Sequence, residues 1–316
     1  MSYRASYSMV THAEGGVTDA QLAALEARAF GAYDGVIASD SRFIPWYRAR
    51  PGMDPGGCQA ALLTDGTLVA SVFLTSISLV VGREALLAAA IDTVMTHPDH
   101  RGRGLASALM ERTHQAARSR GADLMVLYTA AGSDPQRLYE RLGYRVCATL
   151  AYWVGAVPHP SPVQPVSPTG AEALAAQPDG FRVYTDADRA WHRAGPAPRR
   201  WFVDPACDGG RPLSVCYATA PVRLAGSVRP VSVTCDATAF TDGPELRRLL
   251  LRAPGPDVLW LLDEADGPRS RLLASAGLRV VAREVEMILP LTGAARQALA
   301  RSAGPWYPIS ESIIGV

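Results

Sequence analysis

The chain of 316 residues contains no lysine, so all 31 of its basic side chains are arginines. That excludes a lysine base, amine nucleophile or Schiff-base former. Cysteine is scarce, odd in number and scattered (Cys58, Cys147, Cys207, Cys216, Cys235), with no C-x-x-C pair. Such usage speaks against a disulfide frame or a zinc site and for reduced thiols in a cytoplasmic protein. His12, His114, His159 and His192 show no spacing that suggests zinc either. No apolar run reaches the ~18 residues of a membrane span, and the start M-S-Y-R-A-S-Y-S lacks an apolar signal core. The net charge is +1 and no basic run stands out, so neither nucleic acid nor membrane is expected as a partner.

Hydrophobic residues make up 48% of the chain, enough for two packed cores, and the length suggests two domains. Residues 18–31 read as an amphipathic helix, capped by Thr18 or Asp19 and ended by Gly31. Residues 59–63 and 67–80 read as strands joined through Asp65-Gly66, a hairpin signal. A further strand is expected over 85–96, a helix over 103–120, a strand over 123–129, a short helix over 134–142 and a strand over 144–154. Six prolines between Pro158 and Pro178 then forbid regular ladders and predict a semi-rigid linker over 157–180. Shifting residues 123–154 by 134 lays them without gaps on 257–288, with nine identities in 32 positions, among them Asp123/Asp257, Arg137/Arg271, Gly143/Gly277 and Arg145/Arg279. The expected organisation is therefore a first domain over 1–156, the linker, and a partial duplicate over 181–316.

The segment Asp92 to Leu109 carries the chemistry: an apolar strand, a turn at His97-Pro98-Asp99-His100, then Arg101-Gly102-Arg103-Gly104-Leu105-Ala106 opening a helix. Glycines before a helix N-terminus leave backbone N–H groups unpaired and aimed outward, which suits a phosphate or pyrophosphate. The loop is neither a Walker A sequence, having no G-K-[ST], nor a G-x-G-x-x-G fingerprint. His97 and His100 read as turn residues with solvated imidazoles, though one could touch a cofactor.

This stretch resembles the signature Q/R-x-x-G-x-G/A of the GNAT superfamily of acyl-CoA-dependent N-acyltransferases, and Leu138-Tyr139-Glu140-Arg141-Leu142-Gly143-Tyr144 looks like its L-Y-x-x-x-G-F/Y segment. The tandem arrangement is similar to enhanced-intracellular-survival acetyltransferases and mycothiol synthase. The resemblance implies an α/β fold, a mixed sheet with flanking helices, in two GNAT-like domains. The second copy is degenerate: the phosphate loop maps onto Cys235 to Phe240, without Gly or Arg, and Tyr139 onto Leu273.

The resemblance further implies that Val94, Met95 and Thr96 present backbone groups to the pantetheine arm, with the N–H near Met95 as an oxyanion donor. Arg101, Gly102, Arg103, Gly104, Leu105, Ala106 and Ser107 would cradle the pyrophosphate of acetyl-CoA, and strands 89–96 and 123–129 would splay to admit the acyl arm. Tyr139 is the expected acid for the departing thiolate; with a reference value near 10 against about 8.5 for the thiol, it must be tuned or act in concert. Its other reading is a ring packed beside Leu138 and Leu142. Asp92, the one charge in its strand and on one face with Ala90, Val94 and Thr96, is a candidate base or the anion of a salt bridge. The terminal carboxylate of Val316, or no protein base at all, stands beside it. Trp46 and Tyr47, flanked by Arg42, Arg48 and Arg50, fall where the family builds its acceptor wall; they could flank an acceptor or belong to the core.

The expected reaction is direct acetyl transfer to the primary amine of a small molecule, without metal. Alternatives are an acyl-CoA sensor without catalysis and an acyl-CoA decarboxylase. The acceptor and the oligomeric state, including a homo-oligomer, stay open.

Overall fold

The computed structural model describes residues 6–30, 43–81, 84–156, 185–194, 199–204, 211–217, 231–235, 258–264, 270–275 and 277–301. The expected linker over 157–180 and the C-terminal Val316 lie outside them.

The strands are β1 (Ser8–Thr11), β2 (Gln59–Leu62), β3 (Leu68–Val81), β4 (Glu84–Thr96), β5 (Leu124–Ala130), β6 (Arg145–Ala156), β7 (Arg199–Asp204), β8 (Arg211–Tyr217), β9 (Val231–Cys235), β10 (Val258–Glu264) and β11 (Arg279–Pro290). Among the described residues they form one mixed sheet in the order β1-β2-β3-β4-β5-β11-β6-β10-β9-β8-β7. The helices are α1 (Asp19–Phe30), α2 (Phe43–Arg48), α3 (Leu105–Ser119), α4 (Asp134–Arg141), α5 (Asp186–Arg193), α6 (Ser270–Ser275) and α7 (Gly293–Arg301). The α/β class and the mixed sheet with flanking helices are those the sequence predicts.

Local chemistry explains the boundaries. Gly66 takes φ +84 in the β2–β3 turn, where the Asp65 carboxylate accepts from the Thr67 N–H at 2.9 Å. Helix α3 buries Leu105, Leu109, Met110, Thr113, His114 and Ala117 at helical spacing, and Gly121 at φ +75 ends it. Helix α4 is capped by Ser133, whose hydroxyl accepts from the Gln136 N–H at 3.2 Å.

Strand β11 comes from the far end of the chain, yet it lies between β5 and β6. Its antiparallel register with β5 runs from Leu124 opposite Pro290 to Ala130 opposite Glu284. The register of β10 with β6 runs from Val258 opposite Ala156 to Glu264 opposite Leu150. A shift of 134 residues carries either ladder onto the other. In the central β6–β11 pair, Leu150 faces Glu284, its own counterpart under that shift. The sheet thus has an approximate two-fold relation at its centre, with parallel pairs β4–β5 and β9–β10 on either side.

Candidate functional site

Strands β4 and β5 pair at three positions only, Ala88 with Leu124, Ala89 with Met125 and Ala90 with Val126. Both strands continue beyond, to Thr96 and Ala130, without pairing, so a gap opens between them. On the other edge of β4 the register with β3 slips between Ser71 and Phe73. This bulge places Thr93 at φ +52, the one non-glycine in the left-handed region among the described residues. A β-branched residue there is strained, and a bulge re-aims the backbone of a strand. Val94 and Thr96 are half-buried and Met95 is buried.

The gap leads to the loop before α3. Gly102 and Gly104 take φ +71 and +76, and Gly104 is the N-cap of α3 without a side-chain cap. The first α3 amide paired to a backbone carbonyl is that of Ala108, which donates to Gly104 at 3.0 Å; the amides of residues 102–107 reach no backbone carbonyl among the described residues. Six N–H groups at a positive helix end have the arrangement that suits an anion. A Cβ on either glycine would meet nothing within 4 Å among the described residues, which leave the space before these amides open.

The two arginines brace this loop. Arg101 donates to the carbonyls of Ala29 at 2.8 Å and Thr96 at 3.3 Å, tying the loop to α1 and β4. Arg103 donates to the Tyr7 hydroxyl at 2.8 Å and the Asp99 carbonyl at 3.1 Å. His97 accepts from the Asp99 N–H, and His100 bonds the Tyr7 hydroxyl at 3.1 Å. Both imidazoles are turn-building groups.

The two faces of the sheet differ around the gap. Ala88, Ala90, Leu124 and Val126 pack with Ile288, Ala295 and Ala298 on one side. Strand alternation puts Asp92 on that side, beneath α2. Its carboxylate accepts from Arg50 at 3.2 Å, with side-chain exposures of 7% and 0%. Arg50 also donates to the Tyr47 hydroxyl at 3.3 Å, and its Cζ lies 5.7 Å from the Tyr47 ring centre and 5.2 Å from that of Trp191. Of the two open readings of Asp92, the ion pair is the contact present. Tyr47 is buried against Phe43 and Phe73. Trp46 stacks on Trp191 with ring centres 4.1 Å apart.

Tyr139 reaches the region from the other face. It is buried in α4, with its ring centre 5.9 Å from that of Tyr144. The Tyr144 hydroxyl lies 3.7 Å from the Met125 sulfur and 3.1 Å from His114 Nε2. Burial pushes the Tyr144 phenol well above its ordinary value and the His114 imidazole down to about 4. Cys58 is buried and its thiol pushed up to about 12; burial also raises Cys147. Neither offers a thiolate nucleophile. Among the described residues no group of three His, Cys, Asp or Glu side chains could hold a metal, and no helix is long and apolar enough to cross a membrane.

Sequence reasoning placed Arg50 only in a flank and passed over Trp191 and Glu26. Glu26 sits on the buried face of α1, is 4% exposed, and its Oε2 has no hydrogen-bond partner among the described residues. A charged residue among Leu22, Leu25 and Ala29 was the available signal.

A family model for the acetyltransferase (GNAT) domain matches residues 20–147. No curated protein matches the chain. Among solved structures it is similar to Eis1 from Mycobacterium abscessus, with 18% identity and a TM-score of 0.55 over 93% of this chain and 76% of that one. A GCN5-related N-acetyltransferase from Anabaena variabilis has 15% identity and a TM-score of 0.62 over 92% and 74%. Saccharomyces cerevisiae N-myristoyltransferase with bound myristoyl-CoA has 10% identity and a TM-score of 0.66 over 92% and 80%. At these identities the likeness is one of fold. The loop, bulge and gap all fall within residues 20–147, the part of the chain that matches the acetyltransferase (GNAT) domain model.

Proposed function

We propose that the protein is an N-acyltransferase that moves an acetyl group from acetyl-CoA to the primary amine of a small molecule. The observation that carries this reading is the continuity of the β4–β5 gap with the six free amides of residues 102–107. An anion cradle at the end of a slot one strand wide suits a long, thin ligand with a diphosphate at one end. Residues 101–107 hold the pyrophosphate, the pantetheine arm lies along Val94, Met95 and Thr96, and an N–H at the bulge polarises the thioester carbonyl.

The amine attacks the carbonyl directly, and burial keeps Cys58 and Cys147 as thiols. The tetrahedral intermediate then collapses, the C–S bond breaks, and the Tyr139 hydroxyl supplies the proton to the sulfur. Asp92 stands at the rim of the gap and takes the proton that the attacking amine gives up, with Arg50 fixing its position. Residues 181–316 form a degenerate second copy that covers the acceptor side, and a small-molecule amine is the partner.

Titration calorimetry with acetyl-CoA, followed by a thiol-release assay with a panel of amines, tests the reading. Binding and amine-dependent thiol release are expected. Tyr139→Phe should lower kcat about a hundredfold or more and leave the affinity for CoA nearly unchanged. Binding without turnover would favour the sensor alternative, and acyl loss without an amine the decarboxylase. No binding at millimolar acetyl-CoA would overturn the proposal.

A further inference from the structure

Helix α5 belongs to the second half of the chain, yet its Trp191 is buried in the first half's hydrophobic cluster. The contact is reciprocal. The Trp46 indole N–H donates to the Trp191 carbonyl at 2.8 Å, and the Trp191 indole N–H donates to the Trp46 carbonyl at 2.7 Å. The rings lie parallel, with 0° between their planes. The sequences around them agree, Trp46-Tyr47-Arg48-Ala49 against Trp191-His192-Arg193-Ala194. Two related segments exchanging equal contacts is what an isologous, two-fold interface produces, and the Leu150–Glu284 pair marks the same relation in the sheet.

The relation fails in one respect. Trp191 lies beside Arg50, with the guanidinium carbon 5.2 Å from its ring centre. The next residue after the matching segment in the second half, where Arg50 stands in the first, is Gly195. The position that matches Arg50 thus carries no arginine in the second half. Arg50 is sandwiched: Tyr47 contributes a ring at 5.7 Å and a hydroxyl at 3.3 Å, Trp191 contributes the other ring, and Asp92 takes the guanidinium N–H at 3.2 Å. An aromatic face attracts a guanidinium most strongly where both are out of water, and a buried ion pair repays its desolvation only when its geometry is well held and its remaining polar atoms are partnered.

We infer that Trp191 is a positioning residue for the acceptor side of the first half's site: by closing over Arg50 it fixes the carboxylate of Asp92 at the rim of the β4–β5 gap. The second half, without a phosphate loop of its own, supplies through α5 one wall of the site it has lost. This inference rests on the acyltransfer reading for its kinetic consequence, but its structural core is independent of it.

The full-length chain tests it in two arms. Trp191→Phe keeps a ring over Arg50, and Trp191→Met fills a similar space without one. Wild type and Trp191→Phe should show the Arg50 Nε–H, labelled with 15N-arginine, as a slowly exchanging signal moved by the indole or phenyl ring; Trp191→Met should lose both properties. In kinetics, Trp191→Met should reduce kcat/KM for the amine about tenfold and Trp191→Phe restore most of it, while both bind CoA as wild type does. A Trp191→Met protein with an unchanged Arg50 signal and unchanged amine kinetics would overturn the inference. Should Trp191→Met fail to fold, the wild-type spectrum decides alone: a rapidly exchanging Arg50 signal without a ring shift overturns it. Absence of any transfer in wild type removes the acyltransfer reading and leaves the spectroscopic arm to judge Trp191.

Discussion

Arg50 and Asp92 meet at 3.2 Å in a place where the guanidinium has no exposure and the carboxylate side chain only 7%. The pair joins the turn after α2 to the far half of β4, across 42 positions of sequence. Removing one member leaves the other charge buried and alone. Arg50→Met and Asp92→Asn should each destabilise the fold by about 3 kcal/mol, read as a lower urea midpoint. The double variant Arg50→Met/Asp92→Leu should recover most of that loss, because an apolar pair of similar size needs no desolvation of charge.

Gly52 sets the approach of that arginine. It has φ +81, its carbonyl accepts from the Ser76 N–H at 2.9 Å, and a Cβ there would stand 2.0 Å from the Ser76 carbonyl oxygen of β3. Gly52→Ala should cost more than about 2 kcal/mol, seen as a lower melting temperature, and should weaken the Arg50–Asp92 contact along with it.

Gly104 makes the contrasting case. It also has positive φ, but a Cβ would enter open space. Gly104→Ala should cost only about 1 kcal/mol of stability. The Cβ would stand where the pyrophosphate is proposed to lie, so calorimetry should show an affinity for CoA lower by about tenfold or more.

Glu26 should make the fold sensitive to alkali. Burial pushes its carboxyl from the ordinary 4.5 up to about 7, so the folded chain holds the proton more tightly than the unfolded one. The contribution to stability is complete below about pH 4.5 and is lost as pH rises through 7. Glu26→Gln should raise the melting temperature at pH 8, by a stabilisation on the order of 2 kcal/mol, and change it little at pH 4.5. An equal shift at both pH values would refute this.

His12 and His114 act on the acid side. Burial pulls both imidazoles from 6.5 down to about 4, and His12 Nε2 is held between the Ser71 hydroxyl at 2.9 Å and the Gln59 carbonyl at 3.2 Å. The neutral rings stabilise the fold fully above about pH 6.5, and that stability is lost as pH falls through 4. Urea midpoints at pH 7, 5.5 and 4.5 should decline in sequence, and His12→Gln should flatten part of the slope.

The glycine loop before α3 was legible in the sequence because everything that shapes it is local. Two glycines, a preceding strand and a following helix suffice to fix the direction of six amides. The hairpin at Asp65-Gly66 was legible for the same reason. Alternation placed Asp92 on a face with Ala90, but whether that carboxylate was a base or half of an ion pair depended on Arg50. The reading of Trp46 and Tyr47 as wall residues likewise depended on what packs over them, and Trp191 is 145 positions away.

The sequence by itself determined the succession of strands and helices in the first half, the glycine loop at the head of α3, and a gapless repeat at an interval of 134 residues; the mixed sheet followed from the family resemblance. Hydrophobic periodicity says that a strand is buried and which side chains share its face, because these follow from backbone geometry within a few residues. It says nothing of which strand lies alongside, since backbone N–H and C=O groups are the same in every partner. Only the tertiary structure decided that β11 enters between β5 and β6, that Arg50 closes on Asp92, and that a tryptophan from the second half lies beside Arg50. Each of these joins groups far apart in the chain, and packing chooses among partners that local chemistry leaves equal.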